Sequence, residues 1–223
     1  MLKCDTIFKG VFMQISVSIE PYLGVEKVKL IQYIESVVNL SKKLGRNNVS
    51  LHFDYFKSNP KIFNLVQNYA NQIDIDLHLM KEPVPSVDKF RSVSYEIDDL
   101  QKSDNKILDN LQLVETKRRG LYLDLGAEIK GCEDLISSVS YIIIMTVKCG
   151  KSGQTFQSSA LNLITQVRKL NPKVTIIVDG GVNENNVQLL KDAGVNVAVV
   201  GSYAKNCYEN NDFLNGINRL LHD

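Results

Sequence analysis

Eight short runs of β-branched and aliphatic residues recur along the chain, each followed by a segment long enough for a crossover. They fall at Met13–Ile19, Val49–Phe53, Ile75–Leu79, Ser92–Ile97, Gly120–Leu125, Tyr141–Val147, Thr175–Val178 and Val197–Val200. A parallel strand covered on both faces reads as a nearly continuous apolar run, as Ile142-Ile143-Ile144-Met145 does. The intervening segments carry a helical period. Val25–Leu44 places Val28, Ile31, Ile34, Val37, Val38 and Ser41 on or near one stripe, and Gly45 is its stop signal. Asp98–Arg118, Ser158–Leu170, Glu184–Ala193 and Asp212–Leu221 follow the same period, with Asn183 placed to N-cap the segment after it. Eight strand–helix repeats in 223 residues predict an α/β chain folded as a (β/α)8 TIM barrel. An open, doubly wound sheet is the alternative, because a hydrophobic pattern does not record closure. Residues 1–223 read as a single domain, with residues 1–12 a short N-terminal extension.

Composition narrows the function classes. A formal net charge of +1 without a basic block argues against a nucleic-acid partner. No apolar run approaches the ~18 residues of a membrane span, so no membrane partner is expected. The opening MLKCDTIFKGVF lacks the apolar core and cleavage site of a secretory signal, which predicts a cytoplasmic protein. Cys4, Cys132, Cys149 and Cys207 show no Cys-x-x-Cys spacing and are expected to be reduced thiols.

Three stretches carry chemistry. His52 and Asp54 lie two apart on a predicted strand and therefore share one of its faces. Asp76-Leu77-His78 repeats that pairing of acid and imidazole, and Val178-Asp179 ends the seventh run. Barrel chemistry sits at the C-terminal ends of the strands, near which Asp54, His78 and Asp179 fall. His52, Asp54, His78 and Asp179 together offer two nitrogens and two carboxylates, a donor set suited to one divalent ion such as Zn²⁺, Mn²⁺ or Fe²⁺. A lone strand histidine is more often a packed core or rim residue, and it is the repetition beside acids that favours ligation. His222 ends the last helix and is expected at the surface.

Glycines mark a second function. Asp179-Gly180-Gly181-Val182-Asn183 closes run seven and opens a helix, while Gly201-Ser202 closes run eight. Glycine lets backbone N–H groups approach an anion, and barrels often bind phosphate in these two loops. The loop after run six, Lys148-Cys149-Gly150-Lys151-Ser152-Gly153-Gln154, suits a mobile lid over a phosphorylated substrate, or a plain surface turn. Lys148 could instead form a Schiff base with a keto sugar.

These residues resemble the ribulose-phosphate 3-epimerase family. The resemblance is carried in order by Ile15–Ile19, His52-Phe53-Asp54, His78-Leu79-Met80, Met145–Gln154, Val178–Val182 and Gly201-Ser202, and so spans most of the chain. It implies a barrel of the ribulose-phosphate-binding type and a divalent metal held by His52, Asp54, His78 and Asp179. It further implies that Asp54 and Asp179 are the two catalytic proton carriers, with Ser18 and His78 beside the substrate. Gly150, Lys151, Ser152, Gly153, Gly180, Gly181, Gly201 and Ser202 would then hold the phosphate of a small sugar phosphate. The implied reaction is epimerisation at carbon 3, between D-ribulose 5-phosphate and D-xylulose 5-phosphate, in a homo-oligomer. Inverting a carbon beside a ketone needs a proton removed from one face and returned to the other, work suited to two carboxylates.

The sequence departs from the family's pattern at Tyr55-Phe56-Lys57-Ser58, in the loop Cys149–Gly153 and between Phe90 and Lys130. An epimerase of a hexulose 6-phosphate such as allulose 6-phosphate is the close alternative. A non-catalytic sugar-phosphate binder is a further one. A Schiff-base aldolase built on Lys148 would leave the paired histidines and acids without a role.

Overall fold

The computed structural model describes residues 12–55, 60–79, 87–96, 114–148 and 153–222. Eight parallel strands close into a barrel in the order β1 to β8. They are β1 Gln14–Ser18, β2 Val49–Tyr55, β3 Ile75–Leu79, β4 Ser92–Glu96, β5 Arg119–Leu123, β6 Tyr141–Met145, β7 Thr175–Asp179 and β8 Val197–Val200. All eight predicted strands are present, and closure excludes the open sheet. Several apolar runs extend past the ladder. Val147 is apolar because it lines the mouth of the barrel, where it packs with Tyr122, Met145 and Val199, and not because it pairs in the sheet.

Alternate strand residues face opposite ways, and here the two faces differ in chemistry. Outward positions such as Ile15, Val17, Leu51, Phe53, Leu77, Ile142, Ile144, Val178 and Ala198 pack beneath the helices in one large core. The lumen has two halves. On β5 to β8 it is apolar, filled by Tyr122, Ile143, Met145, Ile177, Val197 and Val199. On β1 to β4 it is polar and equally buried, with Ser16, Ser18, Ser50, His52, Asp76, His78, Ser92 and Ser94. Gly120 on β5 faces this polar half, where any Cβ would come within 2.3 Å of Ser94 Oγ.

The floor of the polar half is a hydrogen-bonded plug. Asp76, fully buried, accepts from Ser16 Oγ at 3.0 Å, Ser50 Oγ at 3.0 Å, Ser92 Oγ at 2.7 Å and Arg91 Nε at 2.9 Å. Arg91 also reaches Gln14 Oε1 and the second Asp76 oxygen. Four strands are thereby tied together around one carboxylate.

The described residues include seven α-helices: α1 Lys27–Leu44, α2 Pro60–Gln67, α3 Glu133–Ser137, α4 Ala160–Leu170, α5 Val187–Asp192, α6 Ser202–Glu209 and α7 Phe213–His222. Gly45 ends α1 as expected, at φ 101°. The predicted stripe of α1 is buried at Ile34, Val37, Val38 and Ser41 and is widened by Leu30, Tyr33 and Leu40, whereas Val28, in the first turn, is 63% exposed. Tyr33 stacks on Tyr22 at 4.2 Å. Asn183 does not cap α5, which starts four residues later. Its side-chain oxygen accepts from the Asn185 amide at 2.9 Å, capping a turn that precedes the helix. Of the predicted helix Asp98–Arg118, residues 98–113 lie outside the described residues, and Thr116–Arg118 forms a 3-10 turn. Cys132 and Cys207 are buried and in no disulfide, while Cys4 and Cys149 lie outside the described residues, as do residues 1–11 of the predicted extension. His222 is exposed, and no helix among the described residues is long and apolar enough to cross a membrane.

Candidate active site

The barrel carries β2, β3 and β7 to one centre at their C-terminal ends. Asp54 lies opposite His78 in the β2–β3 register, and Asp179 is the last residue of β7. Asp54 Oδ1 stands 3.2 Å from His52 Nε2 and 2.8 Å from His78 Nδ1. Asp179 Oδ2 stands 3.6 Å from the same His52 nitrogen. All four predicted residues thus converge, with both carboxylates near His52 Nε2. The imidazoles are buried, while Asp54 and Asp179 retain 15% and 21% side-chain exposure, enough for a substrate to reach them from the open end.

The electrostatics separate the two acids. Burial alone would raise Asp54, but the charge and hydrogen bonds of His52 and His78 hold it well below the usual carboxylate range. Burial drives Asp179 upward against the pull of His52, and repulsion from Asp54 and Glu20 carries it up to about 6. Burial would lower His52, but Asp54, then Asp179 and Asp76, push it up to about 9. In the absence of a metal the two carboxylates of one pocket thus differ in their hold on a proton.

The donor set fits a divalent ion. His52, Asp54 and His78 each offer one ligand atom, and these atoms lie within 4.8 Å of one another. Asp179 adjoins this trio through His52. The remaining ring nitrogens, His52 Nδ1 and His78 Nε2, are buried without a hydrogen-bond partner among the described residues. The two histidines therefore commit their partnered nitrogens to the shared carboxylate centre. Two nitrogens with carboxylate oxygens suit Zn²⁺, Mn²⁺ or Fe²⁺.

Three of the predicted glycine-bearing loops meet beside this centre. A Cβ on Gly181 would lie 2.5 Å from the Phe156 amide nitrogen and 2.8 Å from the Gln154 carbonyl, so the loops after β6 and β7 touch backbone to backbone. A Cβ on Gly153 would reach Ser202 Oγ at 3.9 Å, and one on Gly201 would reach Ser18 Cβ at 3.8 Å. Gly180, at φ 120°, packs over Val147. Gly201 precedes α6, whose first turn begins at Ser202. Ser18 is buried, and its hydroxyl accepts from the Glu20 amide at 3.1 Å. Gly150, Lys151 and Ser152 lie outside the described residues, and Lys148 is exposed.

Four residues at the site had no role assigned from sequence. Thr146 is fully buried, and its hydroxyl and amide donate to the Asp179 carbonyl at 2.9 and 2.7 Å, fixing the backbone that carries the acid. Its place between Met145 and Val147 in a shared motif was the available signal. Tyr122 stacks on His78 and Asp76 supplies charge beneath His52. Burial, then Asp54, raises Glu20 above its ordinary value, which puts it within electrostatic reach of the centre. For Tyr122 and Glu20 no pattern in the sequence gave notice, because their relation to the centre exists only once the strands close.

Fold and site define a (β/α)8-barrel protein with a histidine–carboxylate centre at the strand C-termini. Residues 51–204 match the ribulose-phosphate 3 epimerase family, and the chain belongs to that family. Ribulose-phosphate 3-epimerase from Helicobacter pylori is 32% identical over 141 residues, covering 60% of this chain and 65% of the relative. The Aquifex aeolicus enzyme of the same name is 31% identical over 138 residues, covering 58% and 62%. The chain therefore matches somewhat less than two thirds of these relatives' length. The Escherichia coli ribulose-phosphate 3-epimerase is 26% identical over 178 residues, covering 73% of this chain and 79% of its own. Among solved structures, the tryptophan synthase alpha-subunit of Pyrococcus furiosus superposes with a TM-score of 0.67 at 11% identity, covering 97% of this chain and 100% of that one, a likeness of fold.

Proposed function

We propose that this protein is a metal-dependent epimerase acting at carbon 3 of a ketose phosphate, with D-ribulose 5-phosphate and D-xylulose 5-phosphate as its pair of substrates. The observation that carries this reading is a pair of carboxylates at one nitrogen, with Asp54 Oδ1 at 3.2 Å and Asp179 Oδ2 at 3.6 Å from His52 Nε2. One carboxylate removes the proton at carbon 3 and the other returns a proton to the opposite face, so the configuration inverts through an enediolate. Asp54, beside His52 and His78, and Asp179, beside His52, both stand at the centre that the substrate reaches, so either can exchange a proton with carbon 3. In the reverse direction the roles exchange. His52, His78, Asp54 and Asp179 would hold a divalent ion, which supplies Lewis-acid stabilisation of negative charge on the substrate oxygens. Thr146 keeps the Asp179 backbone in place during both transfers. The phosphate is assigned to Gly153, Gly180, Gly181, Gly201 and Ser202, where backbone amides and the start of α6 favour an anion, with Gly150, Lys151 and Ser152 expected to complete the loop.

The test is incubation with ribulose 5-phosphate in heavy water. Deuterium should enter carbon 3 as xylulose 5-phosphate appears. Asp179→Asn should lower kcat by about 10²–10⁴-fold, the usual worth of a general acid–base group. Near-normal epimerisation by Asp179→Asn refutes the two-carboxylate scheme. Turnover of allulose 6-phosphate but not ribulose 5-phosphate moves the substrate to the hexulose series. Binding of both sugars with no exchange at carbon 3 leaves a sugar-phosphate binder.

A further inference from the structure

His78 presents Nδ1 to Asp54 at 2.8 Å, while its Nε2 is buried and has no hydrogen-bond partner among the described residues. This is unusual for a histidine that ligates a metal. Such a side chain almost always donates its second ring N–H to a carboxylate, carbonyl or water, and that bond fixes the plane of the ring. Ser94, directly across from His78 in the β3–β4 register, does not supply it, since its hydroxyl is also buried and unpartnered among the described residues. What meets the imidazole is the face of Tyr122. The two ring centroids are 4.2 Å apart and the planes differ by 12°.

Tyr122 is itself held firmly. It is 1% exposed, and its ring packs with Ile143, Met145, Val147 and Val199 on the apolar side of the lumen. Its hydroxyl donates to Asp124 Oδ1 at 3.2 Å, just past the end of β5. The tyrosine therefore stands at the boundary between the two halves of the lumen, with its back on the apolar wall and its face on the histidine.

We infer that Tyr122 is a positioning residue, holding the His78 ring in the plane from which Nδ1 meets the Asp54 centre. Stacking thereby replaces the hydrogen bond that other metal-binding histidines use. An electron-rich aromatic face also favours an imidazole that carries partial positive charge, as one does on donating to a cation. The inference rests on the metal-site reading above, and it concerns affinity for the ion as well as turnover.

The experiment measures Zn²⁺ affinity in chelator-buffered solution for wild type, Tyr122→Phe and Tyr122→Leu, with circular dichroism confirming that each chain is folded. Loss of an outer-shell partner typically weakens a metal site by about 10–100-fold. Tyr122→Leu, which has no ring, should therefore bind Zn²⁺ about 10-fold more weakly or worse. Tyr122→Phe keeps the ring and should recover affinity to within about twofold of wild type. Wild-type affinity in Tyr122→Leu overturns the inference. Equal loss in both variants overturns it too, because the bond to Asp124 would then be what matters. If Tyr122→Leu does not fold, pentafluorophenylalanine at position 122 keeps the shape and reverses the polarity of the ring face. It should bind Zn²⁺ several-fold more weakly than Tyr122→Phe, and equal affinity overturns the inference. Failure of the wild-type protein to bind Zn²⁺, Mn²⁺ or Fe²⁺ overturns the metal reading itself, a result distinct from wild-type binding that is indifferent to position 122.

Discussion

His52 is the residue on which the centre turns, since its Nε2 faces Asp54 at 3.2 Å and Asp179 at 3.6 Å. Without metal it holds a proton more tightly than its ordinary value of 6.5, up to about 9, because the acids outweigh the cost of burial. A raised histidine contributes stability that is fully present below about 6.5 and is lost as the pH rises through about 9. The metal-free protein should therefore lose stability over that window, as urea titrations at pH 6 and pH 9 would register. The same proton competes with a metal ion for Nε2. Affinity for Zn²⁺ should accordingly climb as the pH rises towards 9, and a flat profile would show that the proton is not on this nitrogen. Removing an outer-shell partner already weakens metal sites by about 10–100-fold, so His52→Ala with His78→Ala should cost at least about 100-fold. Elemental analysis of protein prepared without chelator checks this, and full retention of metal refutes the ligand assignment. At this scale the sequence was most informative: His52, Asp54 and His78 were legible because imidazole and acid recur two apart on strands, and Asp179 because it ends a strand before a glycine pair. Tyr122 was not legible, since its aromatic ring in an apolar run reads like any other core residue.

The elements follow the same division. Strands were easy to place because β5 to β8 are nearly continuous apolar runs and β1 to β4 alternate apolar with polar residues, and Ile75–Leu79 and Val197–Val200 have the bounds expected. Short helices were missed. Ser202–Glu209 buries only Ala204 and Cys207, and Glu133–Ser137 only Ile136, which is too little to make a periodic stripe. Pro60–Gln67, with Phe63 and Val66 buried, is similarly brief. The loops after β6 and β7 depend on Gly181, whose φ of 67° and 2.5 Å approach to the Phe156 nitrogen leave no room for a side chain. Gly181→Ala should destabilise the fold by about 1–3 kcal/mol, the cost of a side chain forced into strained backbone. It should also raise KM for the phosphorylated ketose more than it lowers kcat, because the displaced loops carry the proposed phosphate site and not the acids. Denaturant titration and steady-state kinetics measure the two effects, and an unchanged KM would detach these loops from phosphate binding.

In the whole molecule, the barrel joins two incompatible interiors. The apolar half of the lumen packs without help, but the polar half must satisfy its groups internally or lose stability. Asp76 meets that need at the floor, with three serines and Arg91 around it. Asp76→Ala leaves Arg91 without its counter-charge and should cost about 3–5 kcal/mol in urea unfolding. A change below 1 kcal/mol would mean that the plug is not a closure device. Burial would raise Asp76, but Arg91 and Ser92 hold it below its ordinary 3.8, so its contribution is present above that value and is lost as the pH falls beneath it. The amino-acid sequence by itself determined the number of strands, the barrel as the reading of that number, and the four residues at the candidate centre. Those properties are local: a run of β-branched residues, a two-residue spacing, a glycine pair. Only the tertiary structure decided that Asp76 is a structural anchor and not a ligand, and that Tyr122 lies flat on His78. Each of these depends on residues far apart in the chain meeting across a closed barrel, and no periodicity within one segment records what will stand on the opposite wall.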